Sequence, residues 1–171
     1  MNVQKPPIPV AAIQAASRRN DCLDAVRDLY AQLDPQIAVH ASLCRKCGRC
    51  CHFEQFDHRL YVTVLEAGFY LAACGPPRPI TSDACPHAFD GHCQVREVRP
   101  VGCRIFYCDS ESTAWQGPLT ETWMGRLRAL HAQLGVPSIY ADWMAVLDAL
   151  GTLRDPPDAR GVDGSAPTGR L

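Results

Sequence analysis

Ten cysteines stand in this chain, and eight of them fall into two groups of four. The first group is Cys44-Arg-Lys-Cys47-Gly-Arg-Cys50-Cys51, a C-x2-C-x2-C-C run. The second is Cys85, Cys93, Cys103 and Cys108, with Pro86 directly after Cys85. A C-x2-C pair lets two thiolates converge on one ion while the intervening backbone turns its N–H groups toward the sulfurs, and zinc takes two such pairs per tetrahedral site. A third cysteine two residues further on wraps three thiolates around one compact object. A 4Fe–4S cubane has that size, and bacterial ferredoxins combine such a run with a Cys-Pro. The expected cofactor is therefore an iron–sulfur cluster, of the 4Fe–4S type, or zinc, and the expected ligands are all eight cysteines of the two groups.

The residues around the thiols fit that chemistry. Gly48 permits positive φ and close backbone approach to a sulfur. Arg45, Lys46 and Arg49 lie in the first group, and Arg96, Arg99 and Arg104 in the second. Positive charge favours the thiolate that a metal requires; for any single one of these cations an ordinary surface position is the simpler reading. His52, His58, His87 and His92 flank the groups and are of a type that can ligate zinc or iron, but eight thiols leave them no necessary role. Cys22, beside an apolar helix face, and Cys74, before a Pro-rich turn, are expected to be small buried residues. Glu54 and Asp57 read as a solvated loop, His40 and His131 as ordinary helix positions, and Trp115, Trp123 and Trp143 as packing residues. No phosphate-binding glycine loop, nucleophile elbow or H-E-x-x-H motif occurs, and a thioredoxin-like site would need a strand before Cys44.

The elements that must hold the thiols are mostly helical. The periodicity of Leu23, Val26, Leu29, Tyr30 and Leu33 predicts a helix over 19–33, capped by Asn20 or Asp21 and ended at Asp34-Pro35. A short helical piece over 36–43 follows. Residues 62–73 form a helix opened by Thr63, and Asp90-Gly91 predicts a tight turn between two short strands. Arg99-Pro100 predicts an extended residue and then a helical turn. Helices over 120–134 and 138–150, stopped by Gly135 and Gly151, are joined by a short loop and are expected to pack antiparallel. The expected fold is mostly α with minimal strand: an extended lead over 1–16, one cysteine-cluster domain over 17–154 ending in the helix pair, and a disordered tail over 155–171.

Composition narrows the setting. A length of 171 residues suits one domain, and 47% hydrophobic content allows a real core. A formal net charge of −1 gives no long-range pull toward nucleic acid or an anionic membrane. No stretch reaches the ~18 consecutive apolar residues of a membrane helix, and the first residues lack the apolar run of a secretory signal. The expected compartment is the cytoplasm, where thiols stay reduced and clustered cysteines bind metal more often than they form disulfides.

The motifs resemble the CxxCxxCC family, a zinc- or iron-chelating domain of bacterial cysteine-cluster proteins. The matching pieces are the run Cys44 to Cys51, a helix after Thr63, Cys85-Pro86-His87-Ala88-Phe89-Asp90-Gly91-His92-Cys93-Gln94-Val95, and Arg99-Pro100-Val101-Gly102-Cys103-Arg104-Ile105-Phe106-Tyr107-Cys108. Together they span residues 44–108. Ala88-Phe89 stands where the family has an aromatic residue followed by Leu, and Arg96 where Tyr is common; neither departure removes a thiol. The resemblance implies a metal site built by the eight cysteines. A similar module occurs in flagellin lysine-N-methylase, where an iron–sulfur site accompanies methylation. The expected function is thus metal or cluster binding, in electron transfer or metal handling. The alternatives are an enzyme with the cluster as cofactor, methyltransferase-like or redox, and a zinc-stapled interaction module. The reading leaves room for an unidentified protein partner; nucleic acid and membrane are not expected.

Overall fold

The computed structural model describes residues 7–44 and 47–154. Arg45, Lys46, the first six residues and the expected disordered tail lie outside the described residues. Among the described residues the chain forms six α-helices and two small antiparallel sheets of two strands each, so the fold is mostly α.

The chain opens with α1 (Val10–Ser17), so the extended lead expected over 1–16 is corrected: its latter half is helical. Ile13 and Ala16 are its buried residues, and α1 packs chiefly on α3 (Val64–Cys74). The crossing is close because α3 presents Gly68. A Cβ built there would lie 2.9 Å from the Ala16 Cβ and 3.1 Å from the Ser17 nitrogen.

Helix α2 (Asn20–Ala38) carries the expected apolar face, with Cys22, Val26, Leu29, Tyr30, Leu33 and Ile37 buried. It does not stop at Asp34-Pro35. Pro35 lies inside it, and the separate piece expected over 36–43 is its last turn followed by a 3-10 turn at Ala41–Leu43. Neither Asn20 nor Asp21 is the capping residue, which is Arg19 without a side-chain cap; Asp21 instead accepts the Cys22 N–H.

Strand β1 (Tyr61–Thr63) leads directly into α3. Thr63 caps that helix as expected, within a complete capping box: the Glu66 N–H donates to Thr63 Oγ1, and the Thr63 N–H donates to Glu66 Oε2 at 2.8 Å. The hairpin of β2 (Ala88–Phe89) and β3 (His92–Cys93) is closed by Asp90 and Gly91, both at positive φ (48° and 72°), as a tight primed turn requires. The helical turn after Pro100 is α4 (Val101–Ile105).

Helix α5 (Thr113–Leu134) begins earlier than 120 and passes through Pro118. Gly135, left-handed at φ 64°, ends it as expected. The next segment is not all helix: β4 (Tyr140–Asp142) pairs with β1, and α6 (Trp143–Gly151) follows. α5 packs mainly on α4 and α2, while α6 is tied to β1 and β4. The pairing of β4 with β1 takes up the backbone groups of residues 140–142 and fixes where α6 starts.

Trp123, Leu127, Leu147 and Leu150 are fully buried with Tyr70, Leu65 and Val26 in one core. Each large apolar side chain so buried stabilises by about 1.5–3 kcal/mol. No helix among the described residues is long and apolar enough to cross a membrane.

Candidate metal centre

Six of the eight expected ligands line one cavity of about 230 Å³: Cys44, Cys47, Cys50, Cys51, Cys93 and Cys108. Arg96, Arg99, Phe106 and Tyr107 are among its other lining residues. Cys47 Sγ and Cys108 Sγ, sixty-one residues apart in sequence, are separated by 3.9 Å. Cys85 lies just behind the cavity, where its N–H donates to the Cys51 carbonyl at 2.8 Å and the neighbouring residues His52 and Ala84 form a β-bridge. Cys103 sits on α4. Among the described residues no three His, Cys, Asp or Glu side chains stand close enough together to hold a single metal ion.

The thiols nevertheless share one electrostatic neighbourhood, and Cys50 is its hub. A hydrogen bond from the Cys51 thiol, with the positive charge of Arg99, holds Cys50 down to about 6 despite its burial. The same hydrogen bond, burial, and the charges of Cys50, Cys85 and Cys93 push Cys51 strongly up. Burial pushes Cys85 up to about 11, opposed by the His87 backbone N–H that donates to it. Burial raises Cys103 well above its ordinary range, with Cys85, Cys93 and Cys50 adding to the shift and Arg99 opposing it. Burial, Cys47 and Cys50 raise Cys108. A metal ligated by thiolates replaces their protons, so metal affinity is linked to these ionisations.

Several side chains hold these segments in place, and they were not assigned that role from the sequence. His58 Nε2 lies 3.2 Å from the Cys50 carbonyl oxygen, and its ring stacks on Phe106 at 4.7 Å and meets Phe53 edge-on. It is a strut for the first cysteine run. Arg104 is 5% exposed and no surface cation. It donates to both Asp34 carboxylate oxygens at 2.6 and 2.8 Å, to the Arg99 carbonyl at 2.8 Å and to the Glu97 carbonyl, with its guanidinium 3.9 Å above the Tyr30 ring. It fastens the second cysteine segment to α2. Glu66, 1% exposed, reaches past its capping box to accept the Val101 N–H. The S/T-x-x-E spacing of Thr63 and Glu66 is the one signal that could have found it.

Cys22 is 1% exposed in the core, as expected, whereas Cys74 is exposed at the end of α3, which corrects the expectation that it is buried. Trp123 and Trp143 are core residues. Glu54 and Asp57 are exposed. His131 is buried in α5, and His40 stacks on Trp115 at 4.0 Å. His92 lines the thiol cavity, with its Nδ1 turned to the Asp90 carbonyl. No protein-family model matches the chain, and no curated protein or solved structure matches it either.

Proposed function

We propose that the chain is a thiolate-ligated metal protein whose eight clustered cysteines hold an iron–sulfur centre, serving electron transfer or metal handling. The observation that carries the reading is the convergence of Cys44, Cys47, Cys50 and Cys51 with Cys93 and Cys108 on one cavity. The donor set fits such a centre: thiols that run from buried Cys85 through half-buried Cys44, Cys50, Cys51 and Cys93 to exposed Cys47 and Cys108, Arg96 and Arg99 in the same lining to offset their charge, and the His87 N–H directed at the Cys85 sulfur. Cluster potentials are set by such hydrogen bonds and by exposure. When bound, the cluster supplies one-electron chemistry; the residues of the chain bind it, shield it and tune its charge. Sulfurs that ring a cavity suit a polynuclear centre better than one ion.

The resemblance to the CxxCxxCC family agrees with this reading and adds zinc as the second one. One distance favours zinc: tetrahedral Zn–S bonds of about 2.3 Å place sulfurs about 3.8 Å apart, close to the 3.9 Å between Cys47 and Cys108. Elemental analysis and visible absorption of anaerobically purified protein separate the two. Iron and sulfide with brown colour support the cluster. Colourless protein with stoichiometric zinc replaces it with the zinc-stapled module, and protein without metal overturns both.

A further inference from the structure

A second cavity, of about 600 Å³, is lined in part by the hairpin. Its lining comes from the end of α3 (Tyr70, Cys74), the loop at 76–78, the residues flanking the hairpin (Pro86, His87, Gln94), the hairpin itself, and Arg154 after α6. None of the eight expected ligands lines it, and of its lining the metal reading uses only the His87 backbone N–H.

Three features give it the character of a ligand site. Its volume lies in the range of pockets for small organic molecules, roughly 300–1,000 Å³. Two of its lining residues are arginines, Arg78 and Arg154, and none is acidic. Among the described residues neither guanidinium pairs with a carboxylate. The lining also includes a preorganised polar pair: the fully buried Tyr70 places its hydroxyl 2.7 Å from His87 Nε2, and its ring is braced edge-on by Trp143 at 5.1 Å. Pro76, Pro77 and Pro86 stiffen the walls, so little backbone freedom is lost on binding. Phe89, 73% exposed, offers an apolar surface at the rim.

We infer that this cavity binds a compact organic anion, with an oxyanion head taken by Arg78 and Arg154 and an apolar body laid against Phe89. Guanidinium groups bind phosphate and carboxylate oxygens by charge-assisted, often bidentate hydrogen bonds, so a phosphate ester and a carboxylate share the required chemistry. His87, half-buried and held by the Tyr70 hydroxyl, supplies the polar contact that orients the molecule. The site stands whether or not the thiols hold a metal.

The test is calorimetric titration of the full-length protein, as purified, with phenyl phosphate, benzoate and the neutral analogue benzyl alcohol. Saturable binding of either anion at millimolar concentration or below, without binding of the alcohol, is the expected result; which anion binds identifies the head group. Arg78→Gln and Arg154→Gln each weaken the anion about tenfold, and Phe89→Ala weakens it while leaving the circular dichroism spectrum unchanged. All three positions are exposed, so the variants fold. Absence of saturable binding by both anions, equal binding of the alcohol, or unchanged affinity in both arginine variants overturns the inference.

Discussion

Gly48 and Gly91 meet backbone to backbone: a Cβ built on Gly48 would lie 3.1 Å from the Gly91 Cα and 3.4 Å from its carbonyl oxygen. Both residues have positive φ, 74° and 72°. This contact docks the first cysteine run on the hairpin that carries Cys93. Gly48→Ala costs about 1–2 kcal/mol for the left-handed backbone alone and pushes the hairpin away. The expected outcome is a lower metal content per chain with the α-helical signal retained, read by elemental analysis and circular dichroism. Wild-type metal content together with wild-type stability would show that the contact does not position the thiols.

Glu66 does a similar task for the other cysteine segment. Its Oε1 accepts the Val101 N–H at 2.7 Å while Oε2 accepts from Thr63 N–H and Oγ1, all buried. Burial raises its carboxyl, and the Val101 and Thr63 hydrogen bonds oppose that rise. Glu66→Ala leaves two buried N–H groups without an acceptor, at about 1–3 kcal/mol each. Urea denaturation should show a loss of about 3 kcal/mol, and Cys103, two residues beyond Val101, should react faster with an alkylating reagent. Glu66→Gln keeps one carbonyl acceptor and should lose less. An alanine variant as stable as wild type removes the clamp from this account.

Much of the framework is legible in the sequence because it rests on local rules. Thr63 and Glu66 spell a capping box, Asp90-Gly91 a primed turn, and Gly135 a left-handed helix stop, each decided within a few residues. The errors come where distant contacts win. Pro35 removes one N–H from α2, but Leu33 and Ile37 on either side of it are buried and Asp34 is held by Arg104, so the helix runs on. Residues 140–142 read as helix by periodicity, yet β1 offers them pairing partners some eighty residues away. At the candidate site the cysteine grouping is visible in the spacing. The strut role of His58 is not, because Cys50 and Phe106 reach it only through the fold.

His131 gives a pH signature. It is 1% exposed, its Nδ1 lies 3.2 Å from the Val136 carbonyl, and its Nε2 has no partner among the described residues. Burial lowers its pKa from 6.5. The unfolded chain therefore takes up the proton first, and the unfolded state binds more protons than the native state over that window. Stability is fully present above 6.5 and falls as pH drops below it toward the lowered native value. Melting temperature should decline as pH falls below 6.5, and His131→Gln should flatten that part of the decline. An identical pH profile in the variant would assign the acid sensitivity to other groups.

The adjacent pair Cys50-Cys51 bears on how many centres the thiols hold. Eight thiols are twice what one tetrahedral zinc or one cubane takes. Neighbouring side chains do not ordinarily point the same way, which leads to an arrangement with Cys44, Cys47 and Cys50 at one centre and Cys51 with the second group at another. Two features of the structure bear on that division. Cys108 stands with Cys47 at 3.9 Å, away from its sequence group, whereas Cys51 interacts electrostatically with Cys85 and Cys93. The charge of Cys50 bears on both sets, since it raises Cys51, Cys85, Cys103 and Cys108 alike. Under the proposed metal reading, this pattern predicts two adjoining centres, Cys44-Cys47-Cys50-Cys108 and Cys51-Cys85-Cys93-Cys103, in place of a single one. Anaerobically prepared Cys108→Ser and Cys85→Ser should then each lose about half the bound metal, Cys50→Ser should lose more than either, and Cys22→Ser and Cys74→Ser should lose none. If Cys108→Ser and Cys85→Ser each abolish binding altogether, the thiols serve one polynuclear centre. If four of the eight thiols alkylate freely in the native metal-loaded protein, with metal for one site only, the second centre does not exist.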